Sequence, residues 1–271
     1  MNSSFALSEY QAGLRGLMNE LGRVFDSAGI PYFALFGTCL GALRHKGMIP
    51  WDDDIDIGML RADYDRAMKL IREKCPSLYV WDWDHDNKCN IQISRVFRRL
   101  TSEQTFVNKK VFIDVFPVDN APKSALMRKM KAVFSIALRR LVLRKNKTAL
   151  PYRRNAVSNY LLALIALPFF WLSTRRLRQI YNWIILNKKT GLIWFPTDHA
   201  NCSFPLDWFS SVRVLPFDDI RMPVPANAEK YLEGFYGDWR IPPLGSEQNG
   251  HTFDSNGLDL MLGPDDALRL G

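Results

Sequence analysis

Apolar positions recur at helical spacing in the first part of the chain. Leu14, Leu17, Met18, Leu21, Val24 and Phe25 fall on one face, which predicts a helix over 5–28 with Gly29 as its C-terminal stop. Pro31 opens a short apolar run, Tyr32 to Phe36, that reads as a buried strand, and Ile55-Asp56-Ile57-Gly58 reads as a second. Asp63 to Lys74 carries a helical pattern. Strands are expected at 78–82, 90–97 and 111–116, where CNIQISRVF and VFIDVF alternate or are rich in β-branched residues. Lys123 to Lys147 predicts an amphipathic helix. SVRVLPFDDIRMPVP predicts a hairpin turning near Phe217-Asp218-Asp219, followed by a short helix over 226–236. The tail from Pro242, rich in Gly, Pro, Asn and Ser, predicts irregular structure. The fold class is a mixed α/β (α+β) arrangement in three stretches: 1–120, a helical insertion at 121–197, and 198–271 completing the first.

Charge divides the chain in the same places. Its 271 residues are 47% hydrophobic and 24% charged, with formal net charge +8, a composition that excludes disorder, collagen and coiled coil. Between Asn120 and Thr197 there is no Asp or Glu, while Lys and Arg number 16 from Lys123 to Lys189. The remainder is acidic. Within the basic block, YLLALIALPFFWL at 160–172 is an apolar run flanked by Arg153-Arg154 and Arg175-Arg176. It is too short for a spanning helix, which needs about 20 residues, and Pro168 interrupts it. Two readings stay open: a buried core helix, or an interfacial segment whose apolar residues enter an anionic membrane surface while 123–189 meets the headgroups. The apolar run suits lipid better than a phosphodiester backbone, so no nucleic-acid partner is expected.

Cys39, Cys75, Cys89 and Cys202 show no CxxC spacing, which disfavours zinc and disulfides. Asp198-His199-x-x-Cys202 supplies too few ligands for zinc. The first residues, MNSSFALSEYQAGL, show no signal-peptide pattern, so a cytoplasmic enzyme on the inner membrane face is expected. Trp81, Trp83 and Asp84 read as surface-strand features.

The densest chemistry lies in GTCLGALRHKGMIPWDDDIDIGM, residues 37–59. Asp52, Asp53, Asp54 and Asp56 fall within five positions. On a strand, Asp54 and Asp56 share one face and Ile55 and Ile57 the other. Paired carboxylates repel unless a cation sits between them, and oxygen-only donors suit Mg²⁺ or Mn²⁺. Gly37-Thr38 lies between a strand and a short helix, where backbone can approach a phosphate closely. Arg44, His45 and Lys46 add potential phosphate contacts, although His45 serves equally well as a residue bonded to backbone. Asp114, between apolar neighbours in Phe112-Ile113-Asp114-Val115, is a third carboxylate for a metal-dependent phosphoryl or nucleotidyl transfer site. Arg95 points either into that site or to solvent.

These motifs resemble the LicD family, which includes the fukutin-related proteins. The resemblance rests on Ile30-Pro31-Tyr32-Phe33, on Gly37 to Gly47, on Ile49-Pro50-Trp51-Asp52-Asp53-Asp54-Ile55-Asp56-Ile57, on Ile113 to Asp119, and on Tyr231-Leu232 with Tyr236-Gly237-Asp238-Trp239. It covers roughly 10–120 and 213–251 and omits the basic block. It implies a nucleotidyltransferase-like mixed sheet with flanking helices. It also implies transfer of a phosphorylated alcohol, commonly phosphocholine from CDP-choline, onto a glycan of lipopolysaccharide, teichoic acid or capsule, with CMP leaving. Asp54 and Asp56 correspond to the family's metal-binding pair and Asp114 to its third acid. The donor and acceptor side would involve Gly37, Thr38, Arg44, His45, Lys46, Asp53, Arg95, Tyr236, Asp238 and Trp239. His251 also falls in the family region, without a role. Family members often carry Gly or Ser where this chain has Phe36. Transfer of a nucleotidyl group with loss of pyrophosphate, and a non-catalytic membrane adaptor, are the alternatives.

Overall fold

The structure is a computed structural model that describes residues 3–86, 89, 91–99, 111–147, 156–195 and 202–242. The chain forms two compact units. One comprises Met1–Trp81, Ile93–Pro117 and Asp207–Gly271, the other Asp82–Gln92 and Val118–Leu206.

The first unit opens with helix α1, Ser3–Ser27, which buries Tyr10, Leu14, Leu17, Met18, Leu21 and Phe25 along one face. Gly29, at φ +59°, ends it, because the left-handed turn there costs glycine nothing. Next come strand β1 (Phe33–Ala34), helix α2 (Phe36–Arg44), strand β2 (Asp56–Leu60), helix α3 (Arg61–Lys74) and strands β3 (Leu78–Trp81) and β4 (Ser94–Arg98). Strand β5, Phe112–Asn120, begins in this unit. The sheet order is β1-β2-β5-β4-β3. Phe33 pairs with Gly58, Arg95 with Asp114 and Trp81 with Arg95, all in antiparallel register. The core is the apolar side of this sheet: Ile55, Ile57, Ile113, Val115 and Val96 are fully buried. Strand β8 (Val212–Phe217) and strand β9 (Ile220–Pro225) form the expected hairpin, with Phe217 opposite Ile220 and Asp218 at φ +51° in the turn. The hairpin packs on β1 and α2, and helix α7, Ala228–Tyr236, packs on α2.

The expected strand over 32–36 is shorter than its apolar run. Only Phe33–Ala34 pair, because Phe36 adopts φ +43° and starts α2 at once. Trp81 and Trp83 are buried rather than surface features. The Trp83 ring is covered by the Tyr181 ring at 4.8 Å and the Arg178 guanidinium at 5.6 Å, while Asp84 is exposed.

The second unit is built on helix α4, Ala125–Lys145, against which helix α5 (Ala156–Ala166) and helix α6 (Thr174–Ile185) pack. The end of β5 pairs there with β6 (Leu192–Trp194), which pairs with β7 (Ser203–Pro205). The apolar run 160–172 is not a core helix. Leu162 and Ala166 are buried, but Tyr160 is 65%, Phe170 63% and Trp171 80% exposed. The tail beyond Pro242, His251 and the Asp198-His199 pair lie outside the described residues.

Candidate active site

The Gly37-Thr38 and Asp-rich motifs are hydrogen-bonded to each other. The Asp56 N–H donates to Thr38 Oγ1 at 2.8 Å, and the Asp56 carbonyl accepts from Leu35 N at 3.0 Å. Both main-chain groups of Asp56 are thereby fixed by the first turn of α2. Gly37 and Thr38 sit inside that turn, not in a loop before it. A Cβ on Gly37 would lie 2.7 Å from Asp52 Oδ2, so the absent side chain is what lets the Asp52 carboxylate lie against the helix start. From α1, Gln11 Nε2 donates to the carbonyls of Asp52 at 2.8 Å and Ile49 at 3.2 Å, holding the loop ahead of β2.

Five carboxylates gather here. Asp52, Asp53 and Asp54 each offer an oxygen, all within 4.8 Å of one another. Asp56 follows at the start of β2. The Asp114 N–H donates to the carbonyl of Ile55 at 3.0 Å, which places Asp114 on the neighbouring strand beside the Asp54/Asp56 pair. Burial pushes the Asp54 and Asp56 carboxyls well above the ordinary carboxylate range. Neighbouring charges raise them further: chiefly Asp56 acting on Asp54, and Asp114 acting on Asp56. Burial also raises Asp114, against the pull of Arg95. Arg95 points inward. Its Nε donates to Asp114 Oδ1 at 2.8 Å and its Nη2 to Oδ2 at 3.3 Å, while its guanidinium lies 4.2 Å from the centre of the Phe112 ring. Among the described residues, Asp52, Asp53 and Asp54 are the carboxylates whose oxygens all lie within 4.8 Å of one another, and Asp114 forms an ion pair with Arg95.

The oxygen-only donor set fits a hard divalent cation. Carboxylates this crowded resist ionising together, and a bound cation would remove both the repulsion and the desolvation cost.

The flanking positions divide. Tyr236 is part-exposed, and burial of its hydroxyl and the charges of Asp56, Asp52 and Asp54 push its pKa upward. Arg44 does not point at the carboxylates. Its Nη1 donates to the Trp239 carbonyl at 2.9 Å and its Nε to His45 Nε2 at 3.0 Å, tying the end of α2 to the Tyr236–Trp239 motif. His45 therefore accepts from Arg44, and burial and that cation lower its pKa. Its ring meets Trp51 edge-on at 6.1 Å. Lys46, at φ +57°, is an exposed turn residue whose carbonyl accepts from Asp218 N at 2.8 Å. Asp238 is exposed, and Trp239 is buried with the Arg240 guanidinium 4.6 Å from its ring centre.

Besides Gln11, three further supports carry no signal in the sequence. Tyr10 on α1 is buried, and burial together with Asp53 raises its pKa. Its spacing from Leu14, Leu17 and Leu21 marks it only as a core position. Tyr231 accepts the Phe36 N–H at 3.1 Å, anchoring the left-handed residue that starts α2. Asp218 accepts from Met48 N at 2.9 Å.

Residues 29–148 match the family model for the LicD/FKTN/FKRP nucleotidyltransferase domain. The chain is 24% identical over 259 residues to the lipopolysaccharide cholinephosphotransferase LicD of Haemophilus influenzae, covering 90% of this chain and 95% of that protein. It is 34% identical over 64 residues to the human ribitol 5-phosphate transferase FKRP, covering 22% of this chain and 13% of that protein. An uncharacterized protein of Rickettsia prowazekii is 32% identical over 94 residues, 28% of this chain and 34% of that protein.

Proposed function

We propose, for a chain whose residues 29–148 match the LicD family model, that the Asp-rich site transfers a phosphorylated alcohol from a nucleoside diphosphate donor to a hydroxyl of a glycan. The enzyme class is phosphotransferase, as in the LicD and FKRP relatives. CDP-choline is the favoured donor, since the relative aligned along nearly its whole length is named a cholinephosphotransferase acting on lipopolysaccharide.

One observation carries the reading. Asp52, Asp53, Asp54 and Asp56, with Asp114 on the next strand, crowd together against the first turn of a helix. Asp54 and Asp56, with Asp52 or Asp53, would hold Mg²⁺ or Mn²⁺. When bound, the ion would neutralise charge on the donor diphosphate. Asp52, at the start of α2, would hold the cation against the outer phosphate oxygens there, beside the first-turn amides that Tyr231 does not occupy. Arg95, adjoining the carboxylates, would offset negative charge on the transferred group. The acceptor hydroxyl attacks the phosphorus that bears the alcohol. Its O–P bond forms, the P–O bond to CMP breaks, and the hydroxyl proton leaves to a base. Asp114 is the nearby carboxylate held in place for that proton. Tyr236 would line the donor or acceptor side.

The test is incubation with Mg²⁺, a glycan acceptor and a panel of CDP-alcohols, including CDP-choline and CDP-ribitol. Release of CMP with the alcohol phosphate on the glycan is expected. Release of pyrophosphate from a nucleoside triphosphate, with no CMP from any CDP-alcohol, would establish nucleotidyl transfer instead.

A further inference from the structure

The second unit carries a surface that transfer chemistry does not use. Between α4 and α5 lies a groove of about 380 Å³ whose apolar walls include Leu141, Leu162, Leu167 and Phe170. Arg140, Arg144 and Lys145 line the same groove, and Lys145 Nζ lies 5.0 Å from the Phe170 ring centre. Beyond it the chain bends by 108° between the helical stretches Asn159–Phe169 and Thr174–Ile185. Phe170 and Trp171 stand exposed at that bend. Among the described residues no single helix is long and apolar enough to cross a membrane. Water-exposed aromatic side chains at a bend are costly on a surface that stays wet.

We propose that this unit docks on an anionic phospholipid bilayer, the α4–α5 groove taking one lipid phosphate between Arg140, Arg144 and Lys145 and an acyl chain along its apolar walls. Charge complementarity selects this occupant. The charged residues that line the groove are Arg140, Arg144 and Lys145, and the stretch from Asn120 to Thr197 carries 16 Lys and Arg with no Asp or Glu. A lipid brings an anionic headgroup and an apolar tail in one molecule. Trp171 suits an interfacial position. Its indole N–H already donates to the Pro168 carbonyl at 2.9 Å, so the ring can enter the acyl boundary without stranding a donor. Arg175 and Arg176, exposed just past the bend, lie at the level expected of headgroup partners. The proposal does not depend on which group the first unit transfers.

The test is sedimentation of the full chain with phosphatidylcholine vesicles, with and without phosphatidylglycerol, at low and moderate salt. The protein is expected to partition onto the anionic vesicles, with a salt-resistant remainder from apolar insertion. Arg140→Glu, Arg144→Glu and Lys145→Glu together should weaken partition by more than about tenfold. Phe170→Ser with Trp171→Ser should leave only the salt-sensitive part, and should remove the quenching of tryptophan fluorescence by brominated lipid. If the triple variant loses its circular dichroism, the milder Arg144→Gln, Lys145→Gln pair replaces it, with a smaller loss expected in the same direction. Equal sedimentation of wild type and variants overturns the proposal. So does equal partition onto neutral and anionic vesicles, or saturation by inorganic phosphate without any vesicle binding. CMP release from a soluble donor in vesicle-free buffer, unchanged in the variants, separates failure here from failure of the transfer reading.

Discussion

At the scale of single residues the pocket is organised by what is missing as much as by what is present. Gly37 has no side chain where Asp52 needs room, and Asp56 has its backbone fixed by Thr38 and Leu35. Asp56→Asn keeps the shape of the side chain but removes a charge that burial and Asp114 already oppose. Transfer is expected to fall by about a hundredfold or more, because a carboxylate ligand of the cation that meets the donor diphosphate is lost. The thermal midpoint in metal-free buffer should hold or rise, since a buried like-charge repulsion is relieved. Near-normal turnover of a purified variant in Mg²⁺ would contradict this. Gly37→Ala places a methyl 2.7 Å from Asp52 Oδ2, so the carboxylate must shift. A marked loss of turnover with little loss of thermal stability is expected, read from kinetics and melting on the same preparation.

At the scale of elements, the start of α2 is held by a residue far away in sequence. Phe36 adopts a left-handed backbone, which costs a non-glycine residue about 1–3 kcal/mol. The Tyr231 hydroxyl accepts its N–H, and the Phe36 ring packs on Phe116 and Phe235 at 5.1 Å each. Tyr231→Phe keeps the ring and strands the amide, at a cost of about 1–3 kcal/mol. A lower melting temperature is expected, by about 2–4 °C per kcal/mol. An unchanged midpoint would mean that Phe36 needs no such anchor.

This scale also shows how far the sequence could be read. Helices α1, α3 and α4 and the β8–β9 hairpin followed their periodicity or turn chemistry, since each buries one face on its own unit. The Asp52–Asp56 cluster and Asp114 were legible because acids between buried isoleucines and valines are unusual in a strand. Helix α6 and strands β6 and β7 went unassigned. The first follows directly on an apolar run that dominates its neighbourhood, and the others are three residues each, too short for an alternation to show. Charge and motif mark Arg44 as a potential phosphate contact, and in the fold its donors go to Trp239 and His45, partners that only the folded chain supplies. The support from Gln11 is hidden for the same reason, its partners lying some forty residues on.

For the molecule as a whole, the buried acids set how stability responds to pH. Asp54, Asp56 and Asp114 have folded pKa values above their unfolded ones. Below about pH 4 both states are protonated and folding loses nothing. As pH rises through the window between the unfolded and folded values, the unfolded chain ionises more readily and metal-free stability falls. A divalent cation bound among these carboxylates would offset that loss. The gain in melting temperature on adding Mg²⁺ should therefore be larger at pH 8 than at pH 5. Equal gains at the two pH values would contradict the assignment, and so would no gain at either.

The account rests on divalent cation binding by the Asp-rich pocket. Titration of Mn²⁺ into the protein, followed by the loss of the free-ion electron paramagnetic resonance signal, addresses it directly. Wild type is expected to bind Mn²⁺ in competition with Mg²⁺, and Asp54→Asn with Asp56→Asn to lose that binding, while the exposed-position variant Asp238→Asn keeps it. Identical Mn²⁺ binding by wild type and the double variant, or none by either, would contradict the account.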